Sequence, residues 1–147
     1  MSFEQALATA MSFEQALATQ APWLRLWVLW MGVVIVACVA VLLLSRTTRR
    51  DAVIILLSNL VVFASMLWFY RQVGFVRLLG LVHVLLWTPL AGYLYLRLKT
   101  PILRKPVIAS PYRQVIWLLL ATIIVSLAFD YSDVARYLLG ERASMVK

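Results

Sequence analysis

Four long stretches of the chain carry no charged side chain. They are residues 26–45 between Arg25 and Arg46, 52–70 between Asp51 and Arg71, 78–96 between Arg77 and Arg97, and 114–129 between Arg113 and Asp130. Each is a continuous apolar run without the two-residue alternation of a barrel strand, so helix is the form that satisfies its backbone in an apolar medium. At a rise of ~1.5 Å per residue, about 20 residues cross ~30 Å of hydrocarbon. The first three runs reach that length. The fourth supplies only ~24 Å by the same rise, so it is expected to stand with little tilt or to draw in a charged end, Arg113 or Asp130. The pattern predicts spans at about 23–45, 52–70, 78–96 and 114–130, the last able to continue to 139 with Gly140 as a C-terminal stop. Pro89 falls inside the third span, where it is expected to kink the helix and free a backbone carbonyl near Leu85.

The chain begins differently. MSFEQALATA is followed at once by MSFEQALATQ. A period seen twice is not a solenoid; it reads as a duplicated or misassigned start, with Met11 the natural beginning. No basic start leads into an apolar stretch, so residues 1–20 do not read as a secretory signal. Ser12 and Gln15 have capping-box spacing, which predicts a short helix over Phe13–Thr19. Phe13, Ala16 and Leu17 would share one face, suited to a membrane interface. The expected fold is therefore all-α and polytopic: residues 21–147 form a bundle of four transmembrane helices with short loops, and residues 1–20 add a short interfacial N-terminal helix.

Composition supports the same class. Apolar residues make up 64% of the 147 and charged residues 14%, more apolar surface than one small soluble core can hide. The net charge of +8 would suggest nucleic acid in a soluble chain. Here Lys and Arg flank the spans, so the expected partner is the bilayer and not nucleic acid. Cys38 is the one cysteine. It excludes an intramolecular disulfide and a cysteine metal cluster, and in an apolar run it reads as a small hydrophobe.

Four spans place both termini and residues 71–77 on one side. The loops at 46–51 and 97–113 fall on the other, with Arg46, Arg49, Arg50, Arg97, Lys99, Arg104, Lys105 and Arg113 against the single acid Asp51. The first side carries Arg25, Arg71, Arg77, Arg136, Arg142 and Lys147, opposed by five acids. Because the positive-inside rule counts Lys and Arg, the expectation is a bacterial inner (cytoplasmic) membrane with both termini outside. Trp68, Phe69, Tyr70, Tyr93, Tyr95, Tyr112 and Trp117 lie at span ends as interfacial anchors. Trp23, Trp27 and Trp30 recur at helical spacing, first as a lipid-facing or packing stripe and alternatively as a stacking surface for a pigment, quinone or lipid.

Few polar groups interrupt the spans. By helical rise, His83 lies ~9 Å below Arg77, Ser65 ~8 Å below Tyr70 and Ser126 ~6 Å below Asp130, near enough in depth to form one layer. Asn59 and Thr88 fall together ~17 Å down, with Thr122 between the layers. These residues read as a polar seam through the bundle. His83 would first be a neutral histidine bonded to Ser65, Ser126 or a freed carbonyl; proton or ligand handling is the sharper alternative, and a metal site is disfavoured because it normally needs several ligands. Arg71, Arg77, Asp130, Asp133 and Arg136 gather at one membrane edge, where Asp130 is expected to pair with Arg71 or Arg77, or else to join a solvated charge cluster. Between Arg97 and Arg113, Pro101, Pro106 and Pro111 predict an extended, stiff connection. Its basic groups Arg97, Lys99, Arg104, Lys105 and Arg113 suit anionic lipid headgroups, with a protein partner as the alternative.

No nucleotide-binding, zinc-protease or serine-hydrolase motif is present. No catalytic residue, metal site or cofactor is assigned. The leading expectation is a small non-catalytic subunit or scaffold that packs in a larger membrane complex or a homo-oligomer. The alternative is a small channel or transporter with His83, Asn59 and Thr88 along its path; an enzyme using Asp130 and Asp133 on a lipid-like substrate ranks last.

Overall fold

A computed structural model describes residues 3–74, 76–99, 108 and 110–141. Five α-helices make up the described fold: α1 (Phe3–Ala18), α2 (Pro22–Leu43), α3 (Arg49–Val73), α4 (Gly80–Lys99) and α5 (Ser110–Leu138), with a single 3₁₀ turn at Arg77–Leu79 leading into α4. No strand occurs among the described residues. α2, α3, α4 with its leading turn, and α5 from Pro111 are each long and apolar enough to cross a membrane.

The helix ends follow local chemistry. Pro22 occupies the first turn of α2, where its fixed φ suits helix entry and its missing donor costs nothing. α3 ends at Gly74, whose φ of 73° closes a bond from its N–H to the Tyr70 carbonyl; glycine takes this left-handed backbone without Cβ strain. α5 ends before Gly140, at φ 114°, where the Glu141 N–H reaches back to the Arg136 carbonyl.

The four long helices form a ring in which α2 packs on α3, α3 on α4, α4 on α5 and α5 on α2. Its interior is filled by Leu42, Ile55, Leu94, Ile116, Leu119 and Ile123, each almost fully buried. Cys38 is buried beside them, its thiol directed at the Val115 carbonyl. The outward faces are just as apolar: Leu26, Leu44, Leu85 and Leu96 are each at least 64% exposed. Only 22–39% of each span's most apolar window is covered inside the bundle. So much uncovered apolar surface, on four helices long enough to span a membrane, suggests a membrane protein.

α5 is 29 residues long, ~43 Å by helical rise, and runs through Arg113, Asp130, Asp133 and Arg136. Two expectations for α1 change. α1 runs through Ser12, whose hydroxyl donates to the Thr9 carbonyl one turn back, so Ser12 sits mid-helix and caps nothing. Phe13, Ala16 and Leu17 face the bundle instead of an open interface: Ala16 packs with Leu79, and the Phe13 ring meets Tyr70 edge-on at 5.4 Å. α4 continues through Pro89, and the side chains of Leu85 and Pro89 both lie on its exposed side.

Candidate functional site

Polar side chains gather at the two ends of the bundle. The first cluster lies where α1, the turn at Arg77–Leu79 and the C-terminal half of α5 meet. Gly80 starts α4 so close to α5 that a Cβ there would stand 3.1–3.2 Å from the Asp130 carboxylate and backbone, a tight contact that glycine avoids. Asp130 is thereby set beside α4. His83, one turn further along α4, places Nδ1 3.4 Å from Asp130 Oδ1, and the Ser126 hydroxyl reaches Asp130 Oδ2 at 3.4 Å. The His83 ring stacks on Trp87 with centroids 4.4 Å apart. Ser126 bonds the carboxylate and not the imidazole, so these three residues do not form the serine–histidine–carboxylate order of a nucleophile relay. They can hold a proton, or a ligand's donor, at one carboxylate.

Arg77 takes its place at the mouth of this cluster. Its Nη1 donates to Asp133 Oδ1 at 2.8 Å and its Nε pairs with Glu141 Oε2 at 3.2 Å. The expected pairing of Asp130 with Arg71 or Arg77 is thus replaced. Arg77 leans outward to Asp133 on α5 and to Glu141 just beyond it, Arg71 is exposed, and Asp130 turns inward to His83. A cavity of about 580 Å³ opens here, with Phe13, Leu17, Leu24, Trp27 and Met66 on its apolar wall and Arg77, His83, Ser126, Asp130, Asp133 and Arg136 at its polar end.

The second cluster was not anticipated. Asp51, counted in the sequence as the one acid among flanking bases, is 2% exposed. The Tyr93 hydroxyl donates to its Oδ1 at 2.5 Å, and Arg97 Nε donates to Oδ2 at 3.1 Å. Arg97 also reaches the Thr47 carbonyl, while buried Thr48 donates to the Leu42 carbonyl at the end of α2. One carboxylate therefore ties α3 to α4, and its neighbours tie the α2–α3 turn to both. Arg97 is 10% exposed at its side chain and is occupied, which removes it from the expected headgroup contacts. Tyr93 is a member of this network and not simply an interfacial anchor. The available signal was the i,i+4 spacing of Tyr93 and Arg97 at the level of Asp51.

Among the remaining expected residues, Lys99 lies over the Tyr95 ring at 4.8 Å and Arg113 is exposed within the first turns of α5. Arg104 and Lys105 lie outside the described residues, as do Pro101 and Pro106. The seam divides. Asn59 donates to the Ile55 carbonyl and Thr122 to the Leu118 carbonyl, each within its own helix. Thr88 pairs with the Tyr131 hydroxyl on the exposed side. Ser65 is half-buried on α3 and takes no part in the Asp130 cluster. Only His83 and Ser126 come together, through Asp130. Among the described residues no group of three His, Cys, Asp or Glu side chains converges on a metal position.

The two ends differ in burial, and that decides their energetic weight. Arg97→Met strands a buried carboxylate and is expected to cost about 3 kcal/mol, whereas Arg77→Met removes a partly exposed pair and is expected to cost under about 1 kcal/mol. Equilibrium unfolding in detergent micelles measures both, and equal losses would contradict the assignment of Asp51 as the buried tie.

Comparison of the chain with protein-family models, with curated proteins and with solved structures gave no match.

Proposed function

We propose that the chain is a four-span membrane protein that works as a non-catalytic subunit or scaffold, packing against copies of itself or against a partner's helices. The observation that carries this reading is the outward face of α2. Gly32, Val36 and Ala40 follow one another at four-residue spacing, and all three are exposed. Nothing lies within 4 Å of where a Cβ on Gly32 would stand. In an apolar medium helices associate by close backbone approach and van der Waals packing, and the small residues Gly32 and Ala40 on this face let a second helix come near. Only 22% of the most apolar window of α2 is covered by the chain's own bundle.

A conduit within a single bundle is less well supported. Asn59 and Thr122 bond back to their own helices, and Thr88 bonds on an outer face, so their polar groups do not line a shared path. The basic residues of the α2–α3 and α4–α5 connections favour an orientation with these connections in the cytoplasm and both termini outside. A reporter that is active only outside the cytoplasm, fused after Lys147, is expected to be active; activity from a cytoplasm-only reporter at the same position would reverse the orientation.

Association is tested by native mass spectrometry of the protein extracted in mild detergent. The expected result is one fixed stoichiometry, with copies or with a partner, and a loss of about tenfold in assembled fraction for Gly32→Ile. The open space at Gly32 leaves the single chain unstrained by that change. A homo-oligomer that passes solute in liposomes, with a flux that depends on His83, would favour the channel reading instead, and a monomer throughout would contradict association.

A further inference from the structure

The cavity beside Asp130 does not end within the bundle. Trp23, Trp27 and Phe129 line it and also line a second, shallow groove of about 730 Å³ on the outside of α2 and α5, completed by Leu26, Leu29, Trp30, Val33 and Val125. The three rings lie together, with Phe129 centroids 6.0 Å from Trp23 and 6.2 Å from Trp27. A polar compartment thus opens sideways into an apolar one. That shape fits a molecule with a compact polar head and a long apolar chain, and the polar compartment has the size of a small-molecule site.

The charges at the polar end select the head. Arg77 is already shared by Asp133 and Glu141. Asp130 has only His83 and Ser126, both at 3.4 Å, and no arginine. Its side chain is 16% exposed, so a carboxylate largely shielded from water lacks a strong donor. Arg136 lines the same cavity and, among the described residues, forms no ion pair. The Trp27 indole N–H is shielded from solvent and has no hydrogen-bond partner among the described residues, although a buried donor is normally paired. An anionic head would meet the Asp130 carboxylate. A purely cationic head would leave Arg136 unanswered. A head carrying both an ammonium and a phosphate answers both, and leaves phosphate or ester oxygens to accept from Trp27. A primary ammonium suits Asp130 better than a quaternary one, because it brings N–H donors to a carboxylate short of them.

From these observations we infer that the cavity and groove together bind one zwitterionic phospholipid of the ethanolamine type, with its ammonium at Asp130, its phosphate at Arg136 and an acyl chain along the α2–α5 groove. The groove adjoins the Gly32–Val36–Ala40 face, since Leu29 and Val33 lie three residues before Gly32 and Val36 on α2, but the head-group preference set at Asp130 and Arg136 is read separately from association.

The test is native mass spectrometry of the delipidated protein titrated with phosphatidylethanolamine, phosphatidylcholine and phosphatidylglycerol of matched chain length. Phosphatidylethanolamine is expected to saturate at a single bound lipid and to bind about tenfold more tightly than phosphatidylglycerol, the difference of one charge-assisted contact. Asp130→Asn, which keeps the side-chain shape and the contacts to His83 and Ser126, is expected to abolish that preference. Arg136→Gln, at an exposed position that leaves the fold alone, is expected to weaken phosphatidylethanolamine binding. Val125→Trp, filling the groove, is expected to weaken all three lipids alike. Equal or tighter binding of phosphatidylglycerol, binding without saturation, or an unchanged preference in Asp130→Asn would overturn the inference. If Asp130→Asn does not fold, an unchanged affinity in Arg136→Gln overturns it on its own.

Discussion

A carboxylate buried to 2% exposure inside an apolar bundle persists only if its charge is answered on the spot. Asp51 is answered by Arg97 and Tyr93, both on α4. The requirement fixes much else. It sets the level at which α3 and α4 pass each other, and it draws the Thr47 carbonyl to Arg97 while Thr48 fastens the same turn to the end of α2. At this end Asp51 aligns α3 with α4, and Thr48 fastens the end of α2 beside them. Hydrophobic packing alone would not select the register, since apolar side chains cover every face of these helices and sliding one past another exchanges similar contacts.

Register set at one end has its consequence at the other. α4 enters through Gly80, the position where α5 comes closest and where Asp130 fills the space of a missing side chain. His83 then falls opposite Asp130, and Arg77, six residues earlier, falls opposite Asp133. The two carboxylates are three residues apart on α5 and meet different partners, one inside the bundle and one at its mouth. The same arrangement leaves a cavity, because α1 lies across this end against α3 rather than inserting between α2 and α5. Pairing at the mouth carries little energy beside the buried tie, which is consistent with this end being open to a ligand.

The four long helices were readable from the absence of charge, since hydrocarbon excludes unpaired charge over a length that a helix must match. The start of α5 was not, because Arg113 looks like an end when counted singly, whereas continuation past Asp130, Asp133 and Arg136 was marked by Gly140 as a stop. In the fold they are helical residues whose charge is met by another element or left exposed. Asp51 was hidden for a related reason: among Arg46, Arg49 and Arg50 it looks like one more flanking charge, and its partner Arg97 is 46 residues away. Depth along each helix correctly brought His83 and Ser126 to one level, but depth says nothing of direction around the helix axis. Asn59 and Thr122 accordingly bond within their own helices and Thr88 meets Tyr131, while the carboxylate joining His83 to Ser126 had been assigned to an arginine.

If these four helices cross a membrane as one bundle, the Asp51 tie and the Asp130 cavity lie at opposite faces. Labelling of single cysteines by a membrane-impermeant maleimide in intact cells, on a Cys38→Ser background, reads this out. Cysteine at Gln72 is expected to label in intact cells, cysteine at Thr47 only after permeabilisation, and cysteine at Leu60, although 55% exposed on the bundle surface, in neither case. Labelling of Gln72 and Thr47 from the same side, or ready labelling at Leu60, would contradict the account.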